Sequence, residues 1–119
     1  MPNSGDKKWM RNTNPTTKRK ISKEVGVASN KADWATAVLG KIAENSMIVP
    51  WLISFIGIGT ATAAGIFYSQ YRDGLKKLLD QIEDYPEDKE FYVEQQYQWH
   101  PGHRSWRPLN NFRPAPVKK

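Results

Sequence analysis

The chain has no cysteine among its 119 residues. That excludes disulfides, iron-sulfur clusters, c-type haem attachment and thiolate zinc sites. Histidine occurs twice, as His100-Pro101-Gly102-His103. A first-row metal wants three or four ligands, and the nearest acid that could complete a set is Glu94, so structural contact is the favoured role for the pair. Ser105 lies near His103, but a nucleophile needs a base held by a third group on a rigid frame, so no catalytic residues are expected. The apolar stretch begins too far from Met1 to be a secretory signal, and Met1-Pro2 provides no glycine for myristoylation.

A further absence is local. From Asn45 to Tyr71 the chain runs without an Asp, Glu, Lys, Arg or His, although charged residues make up 25% of the whole. The stretch carries Trp51 near one end and Tyr68 and Tyr71 at the other, about 30 Å apart on a helix, which matches one bilayer crossing with an aromatic belt at each interface. Ser54, Gly57, Ala61, Ala64 and Gly65 share one face of that helix, a small-residue surface on which another helix could pack closely. With no ionisable side chain in the run, transport and proton relay are disfavoured.

Flanks of 44 and 48 residues surround the run, each too short to bury much core alone. The net charge is +6, and the N-terminal flank holds most of the excess, densest at Lys18, Arg19, Lys20 and Lys23. This cluster is expected to meet an acidic partner or phospholipid headgroups. Nucleic acid is disfavoured because only Trp9 lies near enough to interleave with the charges. Residues 1–29 read as a basic extended arm. An amphipathic interfacial helix is expected over 30–45, capped by Asn30 and Asp33, with Trp34, Val38, Leu39 and Ile42 on one face. The transmembrane helix is set at 46–71. Apolar spacings of three and four from Tyr71 through Leu75, Leu78, Leu79 and Ile82 continue it over 72–85, with Gly74 a weak point. Pro86, Glu87 and Asp88 suggest a short helix over 86–98, and the proline-rich residues 99–119 an extended tail. The fold class is therefore mostly α: one transmembrane helix, a short interfacial helix, extended arms and no independent globular core. Trp34, Trp51, Tyr68, Tyr71, Trp99, Trp106, Arg104, Arg107 and Phe112 are the candidate interface anchors, being residue types that dominate protein interfaces.

In architecture the chain resembles the single-span accessory subunits of mitochondrial inner-membrane respiratory complexes. The resemblance implies a structural, non-catalytic role: clamping neighbouring subunits, with complex I first and ATP synthase or cytochrome c oxidase next. It also implies a single-pass location in the inner membrane, no cofactor beyond a bound phospholipid such as cardiolipin, and no small-molecule substrate. The basic arm, as an uncleaved import signal, places the N-terminus in the matrix, whereas the positive charges close to the run favour the C-terminal side there. Alternatives are a tether or assembly factor whose arm recruits a soluble partner, and a homodimer packed through the Gly57/Ala61/Gly65 face.

Overall fold

Alternation in 91–99 decides the architecture. Phe91, Val93, Gln95, Tyr97 and Trp99 fall on one side of an extended chain and Tyr92, Glu94, Gln96 and Gln98 on the other, the period of a half-covered strand in a segment rich in aromatic and β-branched residues. The computed structural model describes residues 2–11, 14–45 and 64–118. In order, they form β1 (Lys7–Arg11), α1 (Lys18–Val25), α2 (Trp34–Asn45), α3 (Ala64–Ile82), β2 (Phe91–His100) and β3 (Ser105–Pro116). The strands make one antiparallel sheet in the order β1-β2-β3.

This overturns the mostly helical fold without a core. The stretch expected as a second short helix is a turn at Pro86–Lys89, closed by the Lys89 N–H donating to the Pro86 carbonyl at 3.1 Å, followed by β2. The expected extended tail is the hairpin partner β3. Its prolines fit because Phe91 spends its own N–H and carbonyl on Thr16, at 3.0 and 2.9 Å, on the β1 side of the sheet. Pairs in that register class, Phe91 with Pro116, Val93 with Pro114 and Tyr97 with Pro108, require no N–H from β3, and an edge strand tolerates proline there. The expected basic arm contains β1 and α1. Thr17 caps α1 by accepting from the Lys20 N–H at 3.1 Å, and Gly26 ends it in the left-handed conformation at φ 75°.

The single transmembrane crossing is also corrected. Residues 46–63 lie outside the described residues, as do Trp51, Ser54, Gly57 and Ala61. The rest of the expected span, 64–71, opens α3, which continues through Arg72, Asp73, Lys76, Lys77 and Asp80. Among the described residues no helix is long and apolar enough to cross a membrane. Moreover, the two flanks, which a single crossing would separate, fold together. β1 pairs with β2, and α2 packs on α3.

The stripes expected to face membrane or neighbours face each other. Trp34, Val38, Leu39 and Ile42 of α2 meet Leu75, Leu78, Leu79 and Ile82 of α3 in one core with Ile21, Phe91, Val93 and Phe112. Each fully buried aliphatic of this kind contributes about 1.5–3 kcal/mol. Two polar side chains in the core partner each other and the backbone: the Trp34 indole N–H donates to Ser22 Oγ at 2.9 Å, and Ser22 Oγ donates to the Lys18 carbonyl at 2.8 Å. Helix ends are tied as well. Glu83 Oε1 accepts the Ala35 N–H at 3.0 Å, at the start of α2, and Lys18 Nζ donates to the Glu83 carbonyl just past α3.

β3 takes extra residues between Gln95 and Tyr97, since their partners are Phe112 and Pro108. Asn110, in this bulge, accepts the Gly74 N–H of α3 through Oδ1 at 2.7 Å. A Cβ on Gly74 would stand 2.9 Å from the Asn110 backbone. What reads in the sequence as a weak point in a helix is a place where the helix backbone closely approaches the sheet.

Candidate interaction surfaces

Helices cover the inner face of the sheet, and the outer face carries no helix among the described residues. Side chains there follow from register. Glu94 of β2 stands between Arg11 of β1 and Arg113 of β3, Gln98 between Lys7 and Arg107, and Gln96 opposite Trp9. The Glu94 side chain is only 8% exposed, while the two arginines that cover it are about half exposed. Arg113 Nε donates to Glu94 Oε1 at 2.8 Å, and Arg11 donates to Oε2 through Nη2 at 3.1 Å and Nε at 3.3 Å.

Both guanidinium groups also lie on aromatic rings: Arg113 is 4.0 Å from the Trp9 ring centre and Arg11 4.6 Å from that of Tyr92. Such contacts are worth about 0.5–1 kcal/mol each at exposed sites, and the shared carboxylate fixes both guanidiniums at once. Asn111 Nδ2 donates to Gln96 Oε1 at 2.9 Å in the next row. The result is a ladder, Tyr92–Arg11–Glu94–Arg113–Trp9, with a net positive charge. A groove of about 320 Å³ adjoins it, lined by Arg11, Glu94, Arg113 and Lys118 with Pro114 and Pro116.

A second surface lies at the hairpin end. Trp99 and Trp106 are register partners whose rings meet edge to face at 5.5 Å, with Lys8 Nζ 4.3 Å from the Trp106 ring centre. Both tryptophans remain partly exposed. The turn between them is closed by the His103 and Arg104 N–H groups, which donate to the carbonyls of His100 and Pro101 at 3.2 Å each. Arg104 takes φ 47°. His100 and His103 place their rings 4.7 Å apart, and no cluster of three or more metal-ligating residues occurs among the described residues.

The expected site residues divide by position. Trp34 and Phe112, expected as interface anchors, are core residues at 0% and 1% exposure. Their apolar patterning is sound, but the chain itself covers them. Tyr71 packs edge to face on Phe112 at 5.9 Å and hydrogen-bonds to Gln95. Trp99 and Trp106 form the hairpin end, Arg104 sits in its turn and Arg107 on the outer face. Ala64, Gly65 and Tyr68 belong to α3.

The basic cluster is not a free patch. Lys18 is buried with its ammonium 5.1 Å from the Trp34 ring centre, and Arg19 pairs with Glu87 at 2.8 Å and Asp88 at 2.9 Å. Lys20 and Lys23 remain exposed. Trp9, Arg11, Tyr92, Gln96 and Asn111 were not among the expected site residues. The alternation of 91–99 was the signal that could have placed Tyr92 and Gln96 on a sheet face; what joins Trp9 to Arg113 across more than a hundred residues is strand pairing, which no local pattern announces. No family model, curated protein or solved structure matches this chain.

Proposed function

We propose that the chain is a non-catalytic accessory subunit of a mitochondrial inner-membrane respiratory complex, complex I ahead of ATP synthase or cytochrome c oxidase, and that its folded body clamps neighbouring subunits. The observation that carries the reading is the hairpin end. Two partly exposed tryptophans in edge-to-face contact at the hairpin end form an aromatic wedge, the residue type that concentrates binding energy at protein interfaces. The uncharged residues 46–63 supply an apolar attachment to the membrane or to an intramembrane neighbour.

With α2 packed on α3 and β1 paired with β2, this reading puts both flanks on one side of the membrane and assigns that side to the matrix. The two orientation signals that conflict for a single crossing, the basic N-terminal arm and the positive charges after Tyr71, then agree. Lys20 and Lys23 are left to meet phospholipid headgroups such as cardiolipin.

Mild-detergent extracts of mitochondria run on a native gel should hold the chain in one large complex, and Trp99→Ala with Trp106→Ala should release it. A chain migrating mainly alone overturns the proposal. A tether or assembly factor that recruits a soluble partner is the second reading, favoured by the positive outer face of the sheet.

A further inference from the structure

The outer face of the sheet is charged and aromatic, and nothing in the accessory-subunit reading uses it. Its composition is selective. Arginine, lysine, side-chain amides, one tryptophan and one tyrosine line it, and no register-paired position on it is Leu, Ile, Val or Met; Leu109, half-buried in the β3 bulge, stands outside that register. A protein partner would want an apolar centre to bury, and a bilayer would want aliphatic side chains to enter the acyl boundary. Amides that hydrogen-bond base edges, planar cations over aromatic rings and flanking point charges suit a flexible polyanion with planar groups.

The cations are laid out in two rows. Lys7 and Arg107 flank Gln98, and Arg11 and Arg113 flank Glu94. Between them runs the row of Trp9, Gln96 and Asn111. Rows two residues apart on a strand are separated by about 7 Å, so the two basic rows are about 14 Å apart. The one carboxylate on this face is already neutralised by Arg11 at 3.1 Å and Arg113 at 2.8 Å. It holds those guanidiniums over the rings of Tyr92 and Trp9, while both arginines stay about half exposed to a ligand.

We propose that this face binds single-stranded nucleic acid, phosphates lying on the two basic rows and bases stacking over the Arg113–Trp9 pair, with the amides of Gln96 and Asn111 at base edges. The inference goes beyond the accessory-subunit reading and does not rest on it.

The test is fluorescence anisotropy of a labelled oligouridylate of about 12 nucleotides, a length suited to a single small fold, with the 119-residue chain. Saturable binding is expected, weakening linearly on a log scale with salt. Lys7→Gln with Arg107→Gln removes two cations without disturbing the Glu94 ladder and should reduce the salt slope by about 1.4. Trp9→Leu should weaken binding by about tenfold. Should Trp9→Leu fail to fold, the exposed double variant alone still decides the matter.

Absence of saturable binding overturns the proposal, and so does an unchanged salt slope in the double variant. Displacement by polyaspartate or by phosphatidylserine vesicles as effective as by unlabelled RNA of equal charge also overturns it, since the face would then be a general anion surface for an acidic protein or a membrane. Binding to duplex RNA equal to that of the single strand overturns the stacking arrangement and with it the proposal.

Discussion

Neighbouring residues of β2 live in different chemistries. Gln95 points into the core, fully buried, and donates from Nε2 to the Leu109 carbonyl at 3.1 Å. Glu94, one residue before it, points outward and is covered by two arginines from the flanking strands. Burial alone does not separate the two positions, since both are classed as buried. Counter-charge does. The inner position offers a carbonyl acceptor, the Tyr71 hydroxyl and apolar walls, whereas the outer one offers guanidinium groups that remain half in water. The inner face therefore sets stability, and the outer face sets which charges it can receive.

Exchanging the two side chain types tests that difference, and the inner exchange should cost most. Gln95→Glu removes the N–H donor to Leu109 and puts a carboxylate at a fully buried position. An uncompensated buried charge costs about 3–5 kcal/mol, unless the group takes up a proton. Denaturant unfolding at neutral pH should show a loss of that size, partly recovered on acidification as the carboxyl becomes neutral. A loss below about 1 kcal/mol would mean that water reaches the inner face.

Next in size is Gly74→Ala, where the inner face meets α3. Alanine is ordinarily better in a helix than glycine by about 1 kcal/mol. Here its Cβ would lie 2.9 Å from the backbone of Asn110, which cannot swing aside as a side chain tip can. Overpacking of this kind costs about 1–3 kcal/mol, so the net effect should be destabilising, read as a lowered denaturation midpoint. A stabilised variant would show that the β3 bulge yields freely.

Much of the helical half was legible. The stripes Trp34/Val38/Leu39/Ile42 and Leu75/Leu78/Leu79/Ile82 carry the helical period, and the core uses both. Their destination was not legible, because an amphipathic stripe has the same pattern whether a membrane, a neighbour or the same chain covers it. The uncharged run from Asn45 to Tyr71 made the flanks look separate, and each alone is too short to bury a core. Pairing them removes that objection. The strands were hidden for a different reason. Prolines 108, 114 and 116 read as strand breakers, and only the register, with Phe91 spending its backbone groups on Thr16, shows why they are tolerated. The outer-face ladder joins three strands from both ends of the chain, so no spacing in the sequence could assemble it.

On the outer face the corresponding exchange should be milder. Glu94→Gln leaves Arg11 and Arg113 facing each other across a neutral amide, but both are about half exposed and water relieves much of the repulsion. The expected cost is about 1–2 kcal/mol, at or below the low end of the ~1.5–3 kcal/mol of hydrogen bonds to charged groups, because water reaches both arginines. It should shrink at high salt, where the repulsion is screened, while the Gln95→Glu penalty should not. Equal salt dependence of the two variants would erase the distinction between the faces.

Smallest at neutral pH, and visible only in base, is the effect of Tyr97. This inner-face residue is 2% exposed, and burial, helped by the nearby Tyr71, pushes its hydroxyl up to about 12. An ordinary tyrosine ionises near 10. Between those values the unfolded chain has lost a proton that the folded chain retains, so the unfolded state binds fewer protons and stability falls with rising pH. Tyr97 therefore costs nothing below about pH 10 and destabilises progressively from there to about pH 12. Tyr71, whose hydroxyl is also raised by burial while its hydrogen bond with Gln95 pulls the other way, adds to the same slope. Tyr97→Phe should leave stability at pH 7 within about 1 kcal/mol of the parent chain, since only a hydroxyl is removed, and should flatten the alkaline limb of unfolding midpoint against pH. An alkaline limb as steep in Tyr97→Phe as in the parent chain would mean that water reaches the inner face.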